Sequence, residues 1–132
     1  MPTKSLKLPA SLKRIKARLI ETVPGTRFQV DWSLAQQVPE PLAKLLLRLA
    51  TVDAGNFARL VRMEMSRCRA NSKKCADRHG WDIWTGLALS DDGCWWVHSW
   101  CRNTRGRIVE TTILRTHYFG ALVFSGEEPM YK

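Results

Sequence analysis

Residues 94–101, C-W-W-V-H-S-W-C, constrain the fold of this chain more than any other stretch. They are followed by R-N-T-R-G-R and then I-V-E-T-T, and together they read as two β-strands joined by a tight polar turn. Asn103-Thr104-Arg105-Gly106 supplies the turn, because glycine tolerates the positive φ that short hairpin loops need. Side chains alternate faces along a strand. Cys94, Trp96, His98 and Trp100 therefore share one face, and Trp95, Val97, Ser99 and Cys101 the other. Ile108, Glu110 and Thr112 likewise fall together on the returning strand. Paired in register, the His98 imidazole and the Glu110 carboxylate come within reach of a hydrogen bond. A carboxylate orienting an imidazole is half of a nucleophilic catalytic triad. The plainer reading makes His98 a half-buried histidine among tryptophans, and Glu110 a strand carboxylate paired with an arginine of the turn.

A chain of 132 residues makes one domain, 1–132, with enough length for a real core. Most of its six tryptophans fall between Trp81 and Trp100, so the C-terminal half should hold much of the large buried area. No apolar run reaches the roughly 20 residues that span a bilayer. M-P-T-K-S-L-K-L-P lacks the apolar core of a signal peptide, so a soluble, cytoplasmic protein without a membrane partner is expected. The net charge of +9 is clustered. Lys13, Arg14, Lys16 and Arg18 crowd one segment, and Arg59, Arg62, Arg69, Lys73 and Lys74 another. Such surfaces attract polyanions: nucleic acid, a nucleoprotein, or a host protein with an acidic face. Solvated helix faces explain the same residues without a partner.

Cysteines 68, 75, 94 and 101 do not form a secreted disulfide framework, given the absent signal. Cys68, Cys75, His79, Cys94, His98 and Cys101 are soft ligands, but their spacings lack the C-x2-C knuckles of structural zinc sites. No metal and no cofactor is expected; buried thiols packing as small hydrophobes fit better.

Residues 1–8 read as a loose arm and 9–70 as mainly helical. A helix over 9–23 carries the stripe Leu12, Ile15, Leu19 and Ile20, and Pro24-Gly25 stops it. An extended segment over 27–32 and a helical turn over 33–38 follow. A helix over 42–50 is opened by Pro39-Glu40-Pro41. A longer helix is expected over 53–69 from Ala54, Phe57, Ala58, Val61, Met65 and Cys68. Residues 70–80 read as a polar connector, and 81–124 as a β-meander with strands at 81–90, 94–101, 108–112 and 118–124. The tail over 125–132 completes an α+β fold in which N-terminal helices pack on a C-terminal antiparallel meander.

The segments V-H-S-W-C, G-R-I-V-E-T-T and Y-F-G resemble small phage and bacterial proteins of the papain-like and transglutaminase-like cysteine-enzyme superfamily. The pattern there is roughly H-[AS]-W, a hairpin turn with G-x-[VI]-[VI]-[DE]-x-T, then Y-x-G. About 45 residues upstream stands C-[FY]-x-N-A at the start of the central helix. The resemblance covers about residues 50–124. It implies a papain-like core, with His98 on the family's histidine, Glu110 on its acidic third member and Asn56 on the asparagine of the helix motif. The cysteine position falls on Asp53, an ordinary helix N-cap residue that cannot do a thiol's work. Among the other thiols, Cys68 falls at the far end of the expected helix and Cys75 in the connector. Cys94 lies four residues from His98, roughly 13 Å along a strand.

These readings favour a binding protein on a cysteine-enzyme fold that has lost its nucleophile, encoded by a phage or mobile element and inhibiting a host defence complex through its basic surface. An active enzyme is the alternative: a thiol-dependent amidase, peptidase or acyl transferase using His98 and Glu110 with Cys75 supplying the thiol, or a divergent chemistry at Asp53. A direct nucleic-acid binder rests on charge alone.

Overall fold

The computed structural model describes residues 8–65 and 67–124. Among them are four helices and seven strands in a mixed α/β arrangement. Helix α1 (Ala10–Thr22) buries Leu12, Ile15 and Leu19, the stripe expected of it, while Ile20 stays outside. Leu8, assigned to the loose arm, is itself buried in the core. The rest of that arm and the tail over 125–132 lie outside the described residues. After β1 (Arg27–Phe28) comes α2 (Asp31–Gln37), a fuller helix than the single turn expected. Helix α3 (Glu40–Leu49) begins with Pro41 in its first turn and buries Leu42, Ala43 and Leu46 against α1.

The long helix expected over 53–69 does not form. Its first part is β2 (Thr51–Ala54), followed by a turn at Gly55 and by β3 (Arg59–Leu60). Tertiary pairing overrides the helical periodicity here. Asp53 stands opposite Tyr118, and the Gly55 amide continues the ladder by donating to the Thr116 carbonyl at 2.8 Å. Phe57, an anchor of the expected stripe, is 74% exposed.

Helix α4 (Cys68–His79) occupies the stretch read as a polar connector. Its buried residues are Asn71, Ser72, Cys75 and Ala76, a helical face built of small side chains. Small residues let the helix lie close to β5 (Cys94–Arg102), on which it packs. Gly80, at φ 71°, ends it in the left-handed cap.

The sheet is completed by β4 (Asp82–Leu89), β6 (Ile108–Glu110) and β7 (His117–Phe124). Its order is β2-β7-β4-β5-β6-β3, with β1 also paired to β5. It is therefore no simple antiparallel meander: β7 crosses over to pair with β4, and β1–β5 and β3–β6 run parallel. That crossover makes β4 a central strand, and β5, flanked by β4 on one edge and by β1 and β6 on the other, buries Trp95 and Trp100 while Trp96 stays exposed. The main core joins α1, α2, α3 and α4 to the sheet, and a smaller cluster surrounds Trp100 and Tyr118.

One edge of β5 is shared by two strands with a gap between them. At its start, β1 pairs Arg27 with Cys94 and Phe28 with Trp95. At its end, β6 pairs Val109 with Cys101. Between them the Gln29 side chain accepts the Val97 amide at 2.7 Å, and Cys68 hydrogen-bonds the Ser99 backbone. The N-terminus of α4 thus plugs a break in the sheet edge.

Candidate functional site

His98 and Glu110 meet as expected, though diagonally rather than straight across. The β5–β6 register of Cys101 with Val109 and Arg102 with Ile108 sets Glu110 beside Trp100, one diagonal step from His98. The Glu110 oxygens lie 2.8 and 2.9 Å from His98 Nε2. Both side chains are buried, His98 at 3% and Glu110 at 0% exposure. The carboxylate also accepts the Thr111 amide at 3.1 Å, the Thr112 amide at 3.0 Å, Thr112 Oγ1 at 2.9 Å and the Tyr118 hydroxyl at 2.7 Å. This ring of donors makes a buried negative charge tolerable.

The third member is Cys68, the first residue of α4, whose thiol hydrogen-bonds His98. With Nε2 committed to Glu110, Nδ1 is the ring nitrogen left for the sulfur. Burial works to raise the Cys68 thiol. The hydrogen bond and charge of His98, with the Ser99 backbone bond, outweigh it and hold the thiol below its ordinary value. Burial works to lower His98, but its bonds to Cys68 and Glu110 lift it above 6.5. Burial also works to raise Glu110, and the bond and charge of His98 more than reverse it. All three directions favour a thiolate beside an imidazolium. The N-terminus of α4 acts the same way, since its dipole stabilises an adjacent anion.

The other thiols stand apart from this chemistry. Burial pushes Cys75 and Cys94 up, and Cys101 up to about 12. Cys75 Sγ sits 3.6 Å from Met63 Sδ, in the core rather than beside His98. Asp53 caps no helix: from β2 it forms an ion pair with Arg102 at 2.6 Å. Asn56 is exposed in the turn between β2 and β3. Neither is among the partners of His98 or Glu110. Cys68 escaped sequence reading because it was placed at the end of a helix rather than at the start of one.

The basic residues are dispersed. Lys13 and Arg14 are exposed on α1, Lys16 pairs with Asp31 at 3.0 Å, and Arg18 donates to the Leu47 carbonyl at 3.2 Å. Arg59 and Arg62 are exposed on and after β3, and Lys73 and Lys74 on α4, where Lys73 pairs with Asp77 at 2.8 Å. Arg69 lines the cavity beside Cys68.

No group of three or more His, Cys, Asp or Glu side chains able to hold a metal converges among the described residues. No described helix is long and apolar enough to cross a membrane. No family model, no curated protein and no solved structure matches this chain.

Proposed function

We propose that this protein is a thiol-dependent acyl-transfer enzyme, an amidase, peptidase or transferase, with Cys68 as nucleophile, His98 as acid and base, and Glu110 as the group that orients His98. The observation that carries this reading is the chain of contacts from the half-buried Cys68 thiol, at a helix N-terminus, to the buried His98–Glu110 pair. It fits the papain-like resemblance, with Cys68 in the thiol's place instead of residue 53. The expectation of a lost nucleophile depended on a helix beginning at Asp53, so the binding-only reading stands second. The phage or host-defence setting remains an expectation of the resemblance alone.

In the proposed reaction the Cys68 thiolate adds to a carbonyl carbon. The oxyanion forms at the N-terminus of α4, whose dipole favours an anion there. Gln37 lines the same cavity, and its Oε1 accepts from Gln29 at 3.0 Å, which leaves its amide nitrogen to donate. The imidazolium of His98 gives its proton to the departing amine or alkoxide, and a thioester forms on Cys68. Water or an acceptor amine then loses a proton to His98 and attacks the thioester, restoring the thiolate.

The test is acylation by p-nitrophenyl acetate. The expected result is a burst of about one nitrophenolate per chain, with the acetyl group mapped to Cys68 and no burst in Cys68→Ser. Acetyl groups spread over lysines, with no burst, would remove the enzymatic reading.

A further inference from the structure

The cleft at Cys68 opens in two directions. One cavity, of about 410 Å³, runs past Gln36, Gln37, Arg69 and Thr85. The other, of about 370 Å³, is walled by Met65, Ser90, Trp96, Thr112 and Arg115. Cys68, Val97 and His98 are common to both, and neither lining contains an aspartate or glutamate.

Arg115 is held firmly on the second side. Its Nε donates to the Ile113 carbonyl at 2.9 Å, Nη1 to Ser90 Oγ at 3.1 Å and Nη2 to Thr112 Oγ1 at 3.4 Å. Its backbone amide donates to the Tyr118 hydroxyl at 3.3 Å. All of these acceptors are neutral, and among the described residues no carboxylate pairs with Arg115. An arginine offers five N–H donors in a planar fork. Three are used, so one remains on each terminal nitrogen, the pair that matches a carboxylate with two parallel bonds. Beside this cation lie large apolar side chains in water: Trp96 is 44% and Met65 49% exposed on the cavity wall, and Ile113 and Leu114 are exposed just before Arg115.

An unneutralised guanidinium is a poor neighbour for a catalytic imidazolium, since its charge works to lower His98. A bound anion removes that opposition. We infer that the Arg115 side of the cleft is a subsite for a carboxylate carried on an apolar group, so that the preferred substrate bears a free carboxylate close to the scissile bond. This rests on the reading of Cys68 as the nucleophile. The carboxylate is either a chain-terminal α-carboxylate or the side chain of an acidic residue.

The test compares alkylation rates of Cys68 by iodoacetamide, N-iodoacetyl-leucine, N-iodoacetyl-leucinamide and the α-amide of N-iodoacetyl-glutamate, at low salt. The leucine acid is expected to react about tenfold faster than its amide, the value of one charge-assisted hydrogen bond after partial screening. That ratio should fall toward one as salt is added to the wild type, and in Arg115→Met. Arg115→Lys, which keeps the charge and loses the fork, should lie between. A glutamate reagent faster than the leucine acid would assign the subsite to a side-chain carboxylate, and the reverse to a chain terminus. Equal rates for leucine and leucinamide, with iodoacetamide still selecting Cys68, would overturn the subsite and leave the nucleophile standing. Failure of iodoacetamide to select Cys68 would overturn both.

Discussion

Glu110 grips His98 with both carboxylate oxygens on one ring nitrogen, at 2.8 and 2.9 Å from Nε2. That choice of nitrogen settles which way the ring works. With Nε2 taken by the carboxylate, Nδ1 is the ring nitrogen left to serve the Cys68 thiol. The carboxylate takes its other bonds from Thr111, Thr112 and Tyr118, on the loop after β6 and on β7. The site is therefore built into the sheet rather than hung from a surface loop.

Glu110→Ala should be among the most destabilising single changes. It strands an imidazole, two backbone amides and two hydroxyls in a dry interior, and loss of one member of such a buried pair costs about 3–5 kcal/mol. The Glu110 carboxyl lies below its ordinary 4.5, so its contribution is complete above pH 4.5 and is lost as pH falls through the lower folded value. His98 lies above its ordinary 6.5, so its contribution is complete below pH 6.5 and fades as pH rises through the higher folded value. Wild type minus variant, followed by urea denaturation, should be largest between those limits. A difference below about 1 kcal/mol, or one flat with pH, would count against the buried pair.

Tyr118→Phe isolates one strand of that network. The ring keeps its edge contact with Trp100 at 4.9 Å, while the 2.7 Å bond to Glu110 and the longer 3.3 Å bond accepted from the Arg115 amide are removed. A hydrogen bond to a charged acceptor is worth about 1.5–3 kcal/mol, so a loss in that range is expected. The carboxyl loses a donor and its folded pKa rises, so the acid limb of the stability profile should move upward. A stability change with an unmoved limb would mean that the hydroxyl acts only through packing.

Gly120→Ala tests how the sheet makes room for the site. Gly86 stands between His98 on one neighbouring strand and Gly120 on the other. A Cβ on Gly120 would lie 2.5 Å from the Trp100 ring, which stacks beside His98 at 6.0 Å between centroids. Overpacking of this kind costs about 1–3 kcal/mol. It should also disturb His98, read as a change in the pH at which Cys68 is half alkylated in a fixed time. An unaffected Cys68 would show that Trp100 and His98 move independently.

The hairpin, its polar turn, and helices α1 and α3 were legible because each followed a simple rule of spacing: strict alternation, a positive-φ glycine at 76° on Gly106, or an apolar stripe at helical period. The middle of the chain was not. The stretch over 54–63 has helical period yet forms no helix, because β7 and β6 offer backbone partners: Val61 donates to the Glu110 carbonyl and Met63 to that of Thr111. The helix that matters had a period too, in Cys68, Asn71, Ser72, Cys75 and Ala76, but written in small and polar residues that hydropathy does not register. Asn71 donates to the Glu64 carbonyl at 2.7 Å and so is buried at little cost. The closing Arg78-His79-Gly80, basic residues before a left-handed glycine, was the remaining signal for that helix.

Asp53→Asn separates the two placements of the nucleophile. The ion pair with Arg102 is partly exposed, at 40% on the aspartate side, and such pairs contribute about 0–1 kcal/mol. The variant should fold, lose no more than that, and acylate Cys68 at the wild-type rate. Loss of acylation in a folded Asp53→Asn protein would return residue 53 to the site.

The most direct measurement is iodoacetamide labelling of the native protein near pH 6.5, with each of the four cysteines read separately by peptide mapping. Cys68 should be modified far ahead of Cys75, Cys94 and Cys101, because it alone has its thiol held below the ordinary value. In a folded His98→Ala protein that lead should vanish. Four thiols reacting at similar slow rates, or Cys75 reacting first, would contradict a thiolate–imidazolium pair at the mouth of α4.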